Sequence, residues 1–182
     1  MPIVNPALNS QAFACIHNAI ECRMSTVPVL YSHNNPTKIG WPISYYVLDE
    51  SQESQHVFHA PQTGWRALVI VEKDIILAGV SKIEQAYFYV GLKVGKYPEY
   101  FLKACNYAQR KFAASELYFE PAILFIPTKR EHYLWLKGQV DYFIKIPIHH
   151  ARPRFQTLSK IKVGKVLVRK IESGGELSPV SS

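Results

Sequence analysis

"ALVIVEKDIILA", residues 67–78, consists of two apolar runs separated by Glu72, Lys73 and Asp74. Two β-branched, aliphatic runs around a short polar break read as a hairpin, and the near absence of polar residues inside each run predicts that both strands are buried. Outward from this hairpin the texture stays extended. "WPISYYVLD", "QHVFHA" and "WRALVIVE" are β-branched or aromatic stretches divided by turn residues, while 50–56 is polar without periodicity and reads as an exposed loop. On the other side, "LYFEPAILFIP", "HYLWLKG" and "VDYFIKIPI" form a second run of strands. A turn is expected at Lys137-Gly138-Gln139, and Pro121 and Pro127 mark bulges or sheet edges.

Two helices bracket the first group of strands. Asn5-Pro6 and Asn9-Ser10 each offer a helix start, and Phe13, Ile16, His17, Ile20 and Met24 fall on one stripe, with Cys15, Ala19 and Cys22 opposite. Pro98 can open a second helix, in which Phe101, Ala104, Cys105, Ala108 and Phe112 share a face. Residues 81–95 carry two conflicting patterns. Ser81 and Glu84 have capping-box spacing with Gly95 as a helix stop, yet Phe88, Val90, Leu92 and Val94 alternate as in a strand. No internal repeat is visible. The order of elements lacks strict βαβ alternation, so the expected fold is α+β: a largely antiparallel sheet of seven to nine strands with two or three helices. Residues 1–171 are expected to form a single α+β domain, and 172–182, "ESGGELSPVSS" with almost no apolar content, a disordered C-terminal tail.

The chain of 182 residues is 48% hydrophobic and 13% aromatic, which predicts a packed core rather than disorder. Its three cysteines, Cys15, Cys22 and Cys105, show no repeating spacing, and reduced thiols serving as packing residues are expected. No apolar run nears the roughly 18 residues of a membrane span, and no basic start precedes an apolar run at the N-terminus. A soluble, cytoplasmic protein without membrane association is the expectation.

Charge is unevenly distributed. The chain has 21 Lys and Arg against 14 Asp and Glu, a net charge of +7, and residues 142–171 hold eight of the basic residues and none of the acidic ones. The remaining 13 basic and 14 acidic residues nearly cancel. In "SKIKVGKVLVRKI" the apolar alternation changes phase at Gly164. A bulge there would put Ile161, Val163, Val166 and Val168 on one face and Lys160, Lys162, Lys165 and Arg169 on the other. A row of cations suits a phosphodiester backbone, because each neutralised phosphate releases a counterion. Arg152 and Arg154 can add forked bonds to phosphate oxygens, and Tyr142, Phe143 and Phe155 can stack on bases. Lys on an outer strand also serves simply to block edge-to-edge aggregation. The partners implied are RNA, DNA or an acidic protein surface.

Catalytic motifs are weaker. "GLKVGKY" fails as a phosphate loop, since the Gly91–Gly95 spacing is one residue short and Tyr97 stands where a magnesium-binding hydroxyl is needed. Cys15 and His17 leave a helix on opposite sides, and Cys15 and Cys22 are about 10 Å apart along it. His56 and His59 on a strand, like adjacent His149 and His150, cannot chelate one ion, so neither a metal nor another cofactor is expected. An enzymatic alternative is a metal-independent phosphodiesterase with His149, His150 or His132 as acid or base. A third reading is a non-enzymatic interaction or ligand-binding domain, with aromatic residues including Trp41, Trp65 and Trp135 lining a pocket.

Overall fold

A computed structural model describes residues 10–24, 38–40, 42–48, 60–71, 74–114, 117–147 and 157–159. Helix α1 spans Ser10–Met24. It is followed by strands β1 (Lys38–Ile39), β2 (Ile43–Val47), β3 (Gln62–Val71), β4 (Asp74–Ile83) and β5 (Ala86–Lys93). Helix α2 (Lys96–Lys111) leads to β6 (Glu120–Ile126), β7 (Glu131–Lys137), β8 (Tyr142–Ile146) and β9 (Thr157–Ser159). The described strands form one sheet in the order β5-β4-β3-β2-β6-β7-β8-β9, with β1 also paired to β3. All neighbours are antiparallel except β2 and β6, which run parallel at its centre. The fold is α+β with a largely antiparallel sheet, as the sequence predicts.

The quoted hairpin is β3–β4, paired from Gly64↔Ser81 to Val71↔Asp74. Its two faces are buried against different helices. Ala67, Val69, Val71, Ile76, Ala78 and Val80 pack with Ile16 and Ile20 of α1, whereas Leu68 and Leu77 join the cluster built on Tyr100, Phe101, Ala104 and Ala108 of α2. Burial on both sides explains why neither run alternates with polar residues. The same cluster continues across the sheet through Ile123, Leu134, Leu136, Ile144 and Ile146.

The architecture repeats itself where the sequence does not. Each helix is followed by a meander of antiparallel strands, the two meanders meet first strand to first strand along the β2–β6 pair, and the helices lie on opposite faces. Parallel pairing of β2 and β6 follows from this layout, with the whole β3–β4–β5–α2 segment as the connection.

Several local expectations need correction. In α1 the fully buried stripe is Ala12, Ile16 and Ile20, because this helix meets β4 and β5 along one narrow line. His17 lies off that line and pairs with Glu21 at 3.4 Å, and Cys22 is exposed rather than packed. Residues 81–95 resolve in favour of the strand. Ser81 continues β4, Glu84 sits in the turn at φ 53°, and Gly95 precedes α2 instead of ending a helix. The capping-box spacing loses because β4 offers a ladder partner for every residue from Ala86 to Lys93 except Val90, where the register shifts. Pro121 marks no bulge: it lies inside β6 opposite Leu136, one residue before the β2 pairing begins, and the β6–β7 register runs through it unbroken. Helix α2 begins at Lys96, two residues before Pro98, which occupies the first turn where its N–H is not needed.

The turn at Lys137-Gly138-Gln139 is present, held by the Gly138 N–H donating to Asp141 Oδ1 at 3.1 Å. A Cβ at Gly138 would lie 2.8 Å from the Tyr118 carbonyl oxygen, so glycine is required by close approach. None of the three cysteines forms a disulfide, and burial pushes the Cys105 thiol up to about 12, an inert thiol. No helix among the described residues is long and apolar enough to cross a membrane. The Gly164 bulge, the four-cation row around it and the 172–182 tail lie outside the described residues.

Candidate anion-binding site

A cleft of about 240 Å³ opens on the α2 side of the sheet, over β3, β4 and β5. Its floor is a gap in the side-chain layer. Gly79 and Gly91 face each other across β4 and β5, so neither of these two positions supplies a side chain there. Into this gap Arg66 reaches from β3, directly opposite Gly79. A Cβ on Gly79 would sit 3.2 Å from both Cζ and Nε of Arg66 and 2.9 Å from Cγ2 of Val90. The glycine is therefore what lets the guanidinium lie flat against the sheet.

Arg66 is fixed in place. Its Nη1 donates to the carbonyl oxygens of Trp65 at 2.8 Å and Val80 at 3.2 Å, and its guanidinium carbon lies 3.9 Å from the centre of the Tyr45 ring. Burial lowers its pKa from the ordinary arginine value, yet a guanidinium stays charged. Lys93 stands at the cleft mouth, its Nζ 4.5 Å from the centre of the Tyr97 ring. Its pKa is lowered by burial and then by the positive charge of Arg66. Two cations thus share one cleft and repel each other, and neither forms an ion pair among the described residues. No carboxylate of the described residues lines the cleft.

The remaining wall is made by Tyr97, in the first turn of α2, and His132 on β7. Their side chains are joined by a hydrogen bond of 3.0 Å between Tyr97 Oη and His132 Nδ1. The imidazole stacks on Phe125 with ring centres 4.3 Å apart. Burial, assisted by Lys93 and Arg66, lowers the His132 pKa to about 3, and burial holds the Tyr97 phenol well above its usual range. Both groups are neutral at physiological pH, so this wall offers hydrogen-bonding groups without charge.

Of the candidate acid–base and cationic residues singled out from sequence, His132 alone lies among those described, and it is a wall of the cleft. His149, His150, Arg152, Arg154, Lys160, Lys162, Lys165 and Arg169 lie outside them. Phe143 is fully buried and Tyr142 packs against the core, so neither is presented for the base stacking expected of it, and Trp65 and Trp135 do not line the cleft. The described residues contain no group of three His, Cys, Asp or Glu side chains placed to hold a metal ion. Sequence reasoning missed Arg66, Lys93 and Tyr97. The signals were present: a lone Arg inside the apolar run "WRALVIVE", and glycines inside two strands, which indicate close approach of something to the backbone. "GLKVGKY", rejected as a phosphate loop, is the stretch that carries Gly91, Lys93 and Tyr97 into the cleft. No protein-family model matches the chain, and neither a curated protein nor a solved structure shows significant similarity to it.

Proposed function

We propose that the protein is a ligand-binding domain that takes a small oxyanion, a carboxylate or phosphate, between Arg66 and Lys93. The observation that carries this reading is a pair of like charges lining a cleft to which the described residues bring no carboxylate. An anionic ligand removes their mutual repulsion and supplies the missing counter-charge, and the neutral Tyr97–His132 wall leaves that attraction undiluted. His132, held neutral, offers a bound anion a hydrogen-bonding surface.

Phosphate and acetate are expected to raise the melting temperature of the full chain above that in sodium chloride of equal ionic strength. At ten times the dissociation constant, linkage gives about 1.4 kcal/mol, or about 3–5 °C for a chain of this size. Lys93→Met should abolish the rise while leaving the melting temperature in chloride unchanged or slightly higher, since it relieves repulsion. Equal stabilisation by phosphate and chloride, or an undiminished phosphate effect in Lys93→Met, would refute the reading.

Binding of a nucleic acid or other polyanion is a separate proposal, supported by the concentration of the chain's excess positive charge in residues 142–171. Replacing Lys160, Lys162, Lys165 and Arg169 together by Gln is expected to eliminate heparin retention. Retention equal to the parent's would sink that proposal.

A further inference from the structure

Beyond the cleft the same face of the sheet stays apolar and open. Register places the residues: Gly79 lies on the cleft face, so Ser81 and Ile83, two and four positions further along β4, share that face, and Phe88 is paired with Ser81. Val90, where the β4–β5 register shifts, reaches over Gly79 and lines the cleft itself. Val90 is 54% exposed, Phe88 48% and Ile83 61%. The opposite face of these strands is covered, with Tyr87 and Leu92 packed into the α1 cluster. Helix α2 leaves the apolar row open, because it packs on β4, β7 and β8. The result is a strip that starts at Arg66 and Lys93 and continues along Val90, Phe88 and Ile83 for about 13 Å, four residues of strand.

Resting on the oxyanion reading above, we infer that the ligand is a single-headed anionic amphiphile of the fatty-acid type, its carboxylate between Arg66 and Lys93 and its alkyl chain along Val90, Phe88 and Ile83. Charge complementarity fixes the head and the apolar strip fixes the direction of the tail. A carboxylate alone leaves the strip in water, and a neutral alkyl group alone leaves the two cations facing each other.

The test is calorimetric titration of the full chain with octanoate, acetate and 1-octanol, all below micelle formation. Octanoate should bind about 60-fold more tightly than acetate, the gain from burying about three methylenes, and more tightly than 1-octanol by a similar factor. The double variant Ile83→Ser/Phe88→Ser, altered only at exposed positions outside the cleft, should lose most of the octanoate advantage while its acetate affinity stays that of the parent. Lys93→Met should bind octanoate no better than 1-octanol. Acetate binding with no gain for octanoate overturns this inference and leaves the oxyanion reading standing, whereas failure of every anion to bind removes both. Two other outcomes also overturn it: sedimentation with phosphatidylglycerol vesicles without affinity for soluble octanoate, which assigns the strip to a membrane surface, and a dimer dissociated by Phe88→Ser, which assigns it to a second copy.

Discussion

Acidification from pH 6.5 to pH 3 is expected to remove up to about 5 kcal/mol of folding stability through His132. In the fold this imidazole resists protonation, first because it is buried and then because Lys93 and Arg66 face it, which lowers its pKa to about 3 from an ordinary 6.5. Above pH 6.5 the ring is neutral in both folded and unfolded chains and contributes no pH dependence. As pH falls through 6.5 the unfolded chain takes up a proton that the folded chain refuses, so unfolding is favoured progressively until the folded ring also protonates near pH 3. The unfolded state binds more protons throughout that window, and stability falls with pH.

The measurement is the difference in unfolding free energy between the parent and His132→Gln, followed by urea titration from pH 7.5 to 3.5. Glutamine keeps a hydrogen-bonding group opposite Tyr97 and carries no titrating proton. Other acid-sensitive groups, among them Glu131, whose carboxyl is held below its usual range by Lys145 and Tyr133 despite burial, are common to both proteins and cancel in the difference. The variant's curve should be flatter by about one proton between pH 6 and 4. Parallel curves would show that His132 is protonated in the fold at the same pH as in the unfolded chain. Because Lys93 and Arg66 contribute to the shift, an anion bound between them should ease protonation of His132 and soften the same slope, linking this measurement to the proposed ligand.

What could be read from the sequence follows from how local each signal is. Helix α2 was legible because Phe101, Ala104 and Ala108 repeat within one element, and the β3–β4 hairpin because its two strands and their break are contiguous. The parallel contact of β2 with β6 was not, since the strands are separated by three others and a helix, and pairing at that distance leaves no periodicity in either one. The cleft was illegible for the same reason. Arg66, Lys93, Tyr97 and His132 stand on β3, β5, α2 and β7, and each taken singly looks like an ordinary residue of its own element. His132 was noticed for its chemistry, but its role depends on Tyr97, which lies 35 residues away. The basic stretch 142–171 shows the converse: charge is legible wherever it occurs, while the face on which Lys160 to Arg169 stand depends on strand pairing.

Phe101→Ala is expected to cost about 3–5 kcal/mol, the range for truncating a fully buried aromatic ring. Phe101 has no exposed surface and sits in the cluster that joins α2 to Leu77, Ile123, Leu134 and Ile144 from β4, β6, β7 and β8. The cluster spans both meanders of the sheet, and removing the Phe101 ring opens a void where α2 is seated on it. For a chain of this length the loss corresponds to a fall in melting temperature of about 10 °C. Phe88→Ala is the matched control, because half of that ring already faces solvent, and its effect should stay within about 1 kcal/mol. The cost of Phe101→Ala also reaches the cleft. Tyr97 lies one turn before Phe101 on α2, so loosening the seat of the helix shifts the phenol that His132 bonds. Phosphate stabilisation should weaken in Phe101→Ala but not in Phe88→Ala. Equal melting temperatures for the two variants would mean that α2 is not seated on the sheet through Phe101, and the position of Tyr97 against His132 would lose its support.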